Sequence, residues 1–245
     1  MIDDIVYLKN EFQRIKNMGW IESKRQGTTG IGYTFETLLG REENSFPVPD
    51  YGSIEIKTRF RNSKEDMSLF NATPDGDYLY PMKRMYESYA FPDKNDPRYK
   101  VFYANISTTP KYAGKEYRFK LYVDRANKKI KLIAIDRVGK IVYTENSWSF
   151  EFLKEKLERK LKYLAVIKAD AKCNIEKQYF YYYQINFYML RRFDTFLSLI
   201  ENGVIKVNFM LGYYKTGIKK GQMNNHGSAF VIAEDDLEKL FFKVC

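Results

Sequence analysis

Residues 48–58, VPDYGSIEIKT, constrain this chain more than any other segment. A Pro49-Asp50 turn feeds a strand expected over Ser53–Phe60, in which isoleucine alternates with ionisable residues. Side chains two apart on a strand share a face. Glu55 and Lys57 therefore project together, while Ile54 and Ile56 face the opposite, buried side. Any half-exposed strand shows the same alternation. Asp50 adds something more specific, because a turn can bring its carboxylate beside that of Glu55.

The other chemistries open to the chain are few. His226 is the sole histidine, so histidine-based nucleases, Ser-His-Asp hydrolases and multi-histidine zinc sites lack their imidazoles. Cys173 and Cys245 have no CxxC partner, which argues against a structural zinc, and two cysteines make no disulfide framework. No apolar run is long enough to span a membrane, and the charged start MIDDIVYLKNEFQRIK is unlike a signal peptide. A cytoplasmic protein is expected. The net charge of +10 fits an anionic partner but equally a lysine-rich proteome.

Helical and strand periodicities mix irregularly along the 245 residues, which predicts an α/β or α+β fold around a mixed central sheet flanked by helices. Helices are expected over 3–19, around Phe35–Leu39, at Met82–Tyr89, 149–162, Phe193–Asn202 and 234–243. Besides Ser53–Phe60, strands are expected at Tyr117–Val123, Ile130–Ile135, Lys140–Thr144, Tyr163–Ala169, Tyr179–Tyr188, Ile205–Leu211 and Ser228–Ile232. A basic, glycine-containing loop is expected over 212–227. Pro74, Pro81, Pro92 and Pro97 mark an irregular arm over 71–100. The chain reads as one domain of two lobes. A catalytic lobe covers roughly 1–70 and 101–170, and a recognition lobe roughly 71–100 and 171–245.

Two converging carboxylates suit Mg²⁺, which prefers oxygen ligands and keeps several waters. Such a cation can activate a water and neutralise charge on a phosphate, and a lysine beside it can orient that water and stabilise developing charge. Upstream, GTTGIGYTFETLLGREEN (27–44) has no strand leading into it and Phe35 at the third glycine position, so it is not a dinucleotide fingerprint. Gly27, Gly30 and Gly32 instead let backbone N–H groups approach phosphate at a helix start. Glu36 borders the apolar Phe35–Leu38–Leu39 face, where it is either a third acid near the cation or a solvated helix glutamate.

The run GWIESKRQGTTGIGYTFETLLGREEN followed by PDYGSIEIKT resembles the MvaI/BcnI group of type II restriction endonucleases, which share a fold with the mismatch-repair nickase MutH. The resemblance continues in LKYLAVIKA (161–169), IENGVIKV (200–207) and GYYKTGIKKGQMNNHGSAF (212–230), and covers most of the chain in order. It implies a PD-(D/E)xK nuclease that needs Mg²⁺, with Mn²⁺ able to substitute, and cuts a short site in double-stranded DNA. On matching positions Asp50 and Glu55 would be metal ligands, Lys57 the catalytic lysine and Glu36 the supporting acid. Arg25 and Thr29 fall in the loop that would meet the DNA backbone, and Tyr213, Lys219, Lys220, Asn224, Asn225 and His226 in the segment that would enter a groove. The family also implies a prokaryotic cytoplasmic monomer with a companion DNA methyltransferase that forms no stable complex with it.

One departure stands out. Family members that read CC…GG sites carry arginine in the strand before this segment and in the strand after His-Gly, where this chain has Met210 and Val231. Arginine is the usual bidentate reader of guanine, whereas Gln222, Asn224 and Asn225 suit adenine edges. A site unlike CC…GG is therefore expected. The rival readings are a MutH-like strand-nicking repair endonuclease and a DNA-binding module without catalysis. The full set of Asp50, Glu55 and Lys57 argues against the latter.

Overall fold

The computed structural model describes residues 2–40, 49–76, 80–143, 145–174 and 177–244. Residues 41–48 of the loop ahead of Asp50, and Thr144 at the end of an expected strand, lie outside the described residues. In chain order the elements are α1 (Ile2–Asn17), β1 (Ile21–Glu22), α2 (Gly30–Leu38), β2 (Ile54–Phe60), β3 (Met67–Asn71), α3 (Tyr80–Tyr89), β4 (Phe91–Pro92) and β5 (Lys100–Ile106). There follow β6 (Lys111–Ala113), β7 (Tyr117–Asp124), β8 (Lys129–Ile135), β9 (Ile141–Tyr143), β10 (Ser147–Ser149), α4 (Phe150–Leu161), β11 (Tyr163–Cys173) and β12 (Gln178–Leu190). Last come α5 (Phe193–Glu201), β13 (Lys206–Tyr213), β14 (Met223–Ile232), a 3₁₀ turn at Glu234–Asp236, α6 (Leu237–Leu240) and β15 (Phe241–Lys243).

The chain divides into two compact units, the first comprising Met1–Glu65, Lys156–Arg191 and Phe241–Cys245, and the second Asp66–Glu155 and Arg192–Leu240. These bounds differ from the expected lobes: 66–70 and 101–155 belong to the second unit, and 171–191 and 241–245 to the first. Strand pairing explains the second difference, since β12 is hydrogen-bonded to β11 along its length.

In the first unit the sheet order is β1-β12-β11-β2, with β15 also on β12. β2 runs parallel to β11, and β11 antiparallel to β12. α1 buries Leu8, Phe12 and Ile15, spaced to form one helical stripe, and its acidic first turn and basic last turn complement the helix dipole. Gly19 ends it in a left-handed conformation, φ 70°. With Ile31 and Phe35 of α2, this stripe packs on Ile54, Ile56, Ala165, Ile167, Phe180 and Tyr182. One face of the sheet is thus core. The other face, by strand alternation, carries Glu55 and Lys57.

The second unit holds two antiparallel sheets, β10-β8-β7-β6 with β9 on β8, and β3-β14-β13-β5-β4. Fully buried Trp148 donates its Nε1–H to the Ala72 carbonyl (2.9 Å), which also accepts from Ser228 Oγ (2.6 Å). The expected meander, α3, α4 and α5 are present within a few residues of their predicted ends.

Two expectations are corrected. The basic segment 212–227 is largely a hairpin, because β13 extends to Tyr213 and β14 begins at Met223, with pairs Leu211↔Asn225, Gly212↔Asn224 and Tyr213↔Met223. Its polar residues hid the strand, since backbone pairing needs no apolar alternation. The C-terminal helix ends at Leu240, and Phe241–Lys243 pairs with β12 instead. Phe35 is fully buried, 5.1 Å from the Tyr182 ring centroid. Phe35→Ala should lower stability by about 3–5 kcal/mol through cavity formation, read as a shift in the chemical-denaturation midpoint.

Candidate functional site

The site begins with a tight turn. Tyr51 and Ile54 exchange backbone hydrogen bonds (2.9 and 2.7 Å), with Gly52 between them at φ 53°. A Cβ on Gly52 would lie 2.9 Å from the Asp4 carboxylate, so glycine is required twice over, by conformation and by space. Asp4, in the first turn of α1, accepts from Ser53 Oγ at 2.8 Å and Ser53 N–H at 3.3 Å, which holds its carboxyl below the usual range. The turn carries Asp50 back along β2, where its Oδ2 accepts the Ile56 N–H at 2.9 Å.

Glu55 is 1% exposed, deeper than a half-exposed strand would place it. Its Oε1 takes Lys57 Nζ at 2.7 Å and Lys160 Nζ, from α4, at 3.3 Å. Its Oε2 is buried and without a hydrogen-bond partner. Burial pushes the Glu55 carboxyl upward, Lys57 and Lys160 oppose that, and the charge of Asp50 adds to the rise. Desolvation wins. The structure thus brings Asp50, Glu55 and Lys57 into one electrostatic field.

Lys160 is a member that the sequence reading missed. It lies three residues after buried Leu157 and one before buried Leu161, so it borders the inward stripe of α4. That border position was the available signal, obscured by four other basic residues in KEKLERKLK.

Glu36 is placed differently from the other acids. Its Oε1 lies against Gly32 together with Thr58 Oγ1, at 3.6 and 3.3 Å from where a Cβ would sit. Its charge also acts on Tyr182, whose hydroxyl donates to the Ile31 carbonyl at 2.7 Å. Glu36 and Thr58, the residue after Lys57, thus both border Gly32. Among the described residues no group of three or more His, Cys, Asp or Glu side chains converges as a metal cage. The orphaned Oε2 of Glu55, in the field of a second carboxylate at Asp50, nevertheless fits an oxygen-loving cation. A buried carboxylate oxygen facing nothing is costly unless a ligand completes it.

The loop before α2 is tightly built. Arg25 lies flat over the Tyr33 ring, 3.9 Å from its centroid, and its carbonyl accepts from Ser23 Oγ at 2.5 Å. That carbonyl fills the space of a Cβ at Gly30 (2.3 Å), so only glycine fits there. The Gly30 N–H is occupied by the Gly27 carbonyl at 3.1 Å and is unavailable to phosphate, contrary to the expectation for that glycine. Thr29 is exposed at the helix start, and its side chain makes no cap. Thr28 lines, with Arg61 and Asp170, a cavity of about 810 Å³ at the ends of β2 and β11.

In the second unit, the residues predicted to meet DNA gather on the β13–β14 hairpin. Lys219, Lys220 and His226 are exposed, while Asn224 and Asn225 are half-buried on the strand. Asn225 Oδ1 accepts the Gly227 N–H at 2.8 Å. Gln222, Met223 and Asn225 line a cavity of about 510 Å³ with Lys83, Tyr86 and Tyr214. Tyr213 differs from these, because its hydroxyl donates to Asp93 Oδ2 at 3.0 Å. Val231 is 3% exposed, and Met210 is half-buried opposite Tyr103.

Comparison with known proteins bears on the same residues. The MvaI/BcnI restriction endonuclease family matches residues 9–241. Among solved structures, the restriction endonuclease MvaI in complex with its cognate DNA substrate matches with a TM-score of 0.90 at 32% identity, covering 100% of this chain and 98% of that one. MvaI in the absence of DNA matches over the same coverage and identity with a TM-score of 0.62. A search of curated protein sequences finds no match. The expected restriction-endonuclease-like fold is thereby confirmed.

A raised folded-state pKa means that the folded protein holds the Glu55 proton more tightly than the unfolded chain does. Its contribution to stability is present at low pH and lost as pH rises through the folded value. In metal-free protein Glu55→Gln should therefore raise Tm at about pH 8 and much less at about pH 4. Thermal melts of both proteins in chelator test this, and an unchanged or lowered Tm at the higher pH would contradict it.

Proposed function

The chain belongs to the MvaI/BcnI restriction endonuclease family, and from that premise we propose that Asp50 and Glu55 hold the divalent cation at the scissile phosphate, flanked by Lys57 and Lys160. The protein is a type II restriction endonuclease, a site-specific DNA endonuclease. Restriction endonucleases of this kind use a divalent metal. Mg²⁺ is the cation that two carboxylates with no imidazole or thiolate suit, and Mn²⁺ should substitute. The observation that carries this reading is the buried, unpartnered Oε2 of Glu55. When bound, the cation supplies the charge that polarises the phosphate and acidifies a water.

The remaining work falls to the side chains. Lys57 and Lys160 both hold Oε1, which restrains the Glu55 carboxylate and leaves Oε2 for the cation. Asp50 is fixed by the Ile56 N–H and the turn clamped by Asp4, so its carboxylate stays beside the strand. Lys57, less buried than Glu55, would orient the attacking water and stabilise negative charge while the water oxygen bonds to phosphorus and the bond to the leaving oxygen breaks; the proton the water loses is balanced by the one the leaving oxygen takes from solvent. Glu36, at Gly32 and Thr58, is a supporting acid at one remove. Arg25 and Thr29 meet the DNA backbone as positioning contacts.

The DNA complex of MvaI supports double-stranded DNA as the substrate. The hairpin residues Gln222, Asn224, Asn225 and His226 are the readers of base edges, and Lys219 and Lys220 approach phosphates. Val231 is buried and Met210 carries no donor, so neither replaces a guanine-reading arginine. The site is therefore one that differs from CC…GG and contains A·T pairs. The protein acts as a monomer in a prokaryotic cytoplasm, alongside a methyltransferase that protects the same site.

Plasmid DNA incubated with protein and Mg²⁺ should give linear products with defined ends on sequencing. Accumulated open circles would instead indicate nicking, and a CC-N-GG type site would refute the recognition reading. Asp50→Ala, Glu55→Ala and Lys57→Ala should each lower cleavage by about 1,000-fold or more while retaining DNA binding in gel shifts. Lys160→Met should lower it about 10–100-fold.

A further inference from the structure

Tyr213 lies at the end of β13, in the segment assigned to DNA, yet its polar and aromatic surfaces are both occupied from within. Its hydroxyl donates to Asp93 Oδ2 at 3.0 Å, and its ring stacks on Tyr99 at 4.3 Å between centroids with an 18° tilt. Burial and Asp93 push its phenol up to about 12, so it remains a donor throughout the working range. Across the hairpin, a Cβ on Gly221 would lie 2.9 Å from the Tyr99 ring, which therefore sits directly against the returning strand end as well.

The segment bearing Asp93 and Tyr99 is itself closed. The Asp93 N–H donates to the Tyr99 carbonyl at 2.9 Å, and the Tyr99 N–H to the Asp96 carbonyl at 3.0 Å. Asp93 Oδ1 takes the Asn95 N–H at 3.0 Å, leaving Oδ2 aimed at Tyr213. Arg98 forks onto the Asp96 carboxylate with two bonds of 2.7 Å. Pro92 and Pro97 restrict the backbone further. Such a loop has few conformations to lose, so a partner stacked on it is held at little entropic cost.

We infer that loop Asp93–Tyr99 is a buttress for the recognition hairpin, with Asp93 and Tyr99 as positioning residues that act through Tyr213 to set sequence discrimination. Tyr213 is accordingly a strut and not a DNA contact. Discrimination depends on placing the readers on the hairpin within a fraction of an ångström of base edges, because a misplaced donor tolerates wrong bases almost as well as right ones. A hairpin end released from Tyr99 and Asp93 retains its charge and its phosphate contacts but loses that placement. The inference rests on the hairpin reading DNA.

The test is a cleavage profile on a randomised duplex library with Mg²⁺, in which sequenced ends give the preferred site and every tolerated variant together. Tyr99→Ala and Asp93→Ala should each lower the ratio of kcat/KM at the preferred site to that at sites altered by one base pair, by about tenfold. Tyr99→Phe keeps the stack and Asp93→Asn keeps an acceptor for the Tyr213 hydroxyl, so both should restore the wild-type ratio. Should Tyr99→Ala fail to fold, as judged by its thermal melt, Asp93→Ala and Tyr213→Phe carry the test alone. Wild-type ratios in Tyr99→Ala and Asp93→Ala, alongside a changed profile in Asn225→Ala and His226→Ala, would overturn the buttress. An unchanged profile in Asn225→Ala and His226→Ala would overturn the hairpin reading and the inference with it.

Discussion

A carboxylate sealed inside a sheet is an unstable arrangement, and the first unit is organised around one. Glu55 sits on a strand whose opposite face is fixed by the isoleucine core, so its own face follows without choice. Its burial raises the cost of the charged form above what Lys57 and Lys160 recover. An enzyme can tolerate that deficit where the missing partner arrives with the substrate, as a cation does. The same deficit favours a positively charged, oxygen-seeking ligand, and at low pH a proton, at Glu55.

The strand and its turn were legible in the sequence because they rely on local rules. Alternation sets which way Glu55 and Lys57 point, and a Pro-Asp turn sets where Asp50 returns. What alternation alone does not reveal is depth. Glu55 is buried, and one of the two cations on its Oε1, Lys160, comes from α4, about a hundred residues downstream. Glu36 illustrates the reverse. Its helix was predicted, but how far along β2 the helix delivers it depends on how α2 crosses β2, and periodicity carries no crossing angle.

The recognition end was harder to read for a related reason. Residues 212–227 look like a loop because glycine, lysine and asparagine have low strand propensity. They extend a hairpin because β13 is already anchored between β5 and β14, and pairing continues from that anchor without apolar side chains. Tyr213 was expected at DNA because it falls in the segment that carries the family resemblance. Its partners lie in a proline-marked arm more than a hundred residues earlier, beyond the reach of any local pattern. The strand and turn around Asp50 and Glu55 are therefore written mainly in adjacent residues, and the end of the β13–β14 hairpin in long-range support.

Asp4 joins these themes in an unexpected place. It lies in the first turn of the first helix, where acidic residues are unremarkable, yet it clamps Ser53 and fills the space beside Gly52. The turn that presents Asp50 is thus latched by the fourth residue of the chain. Changes at Asp4 would therefore act on the turn that presents Asp50, from a helix otherwise devoted to the core.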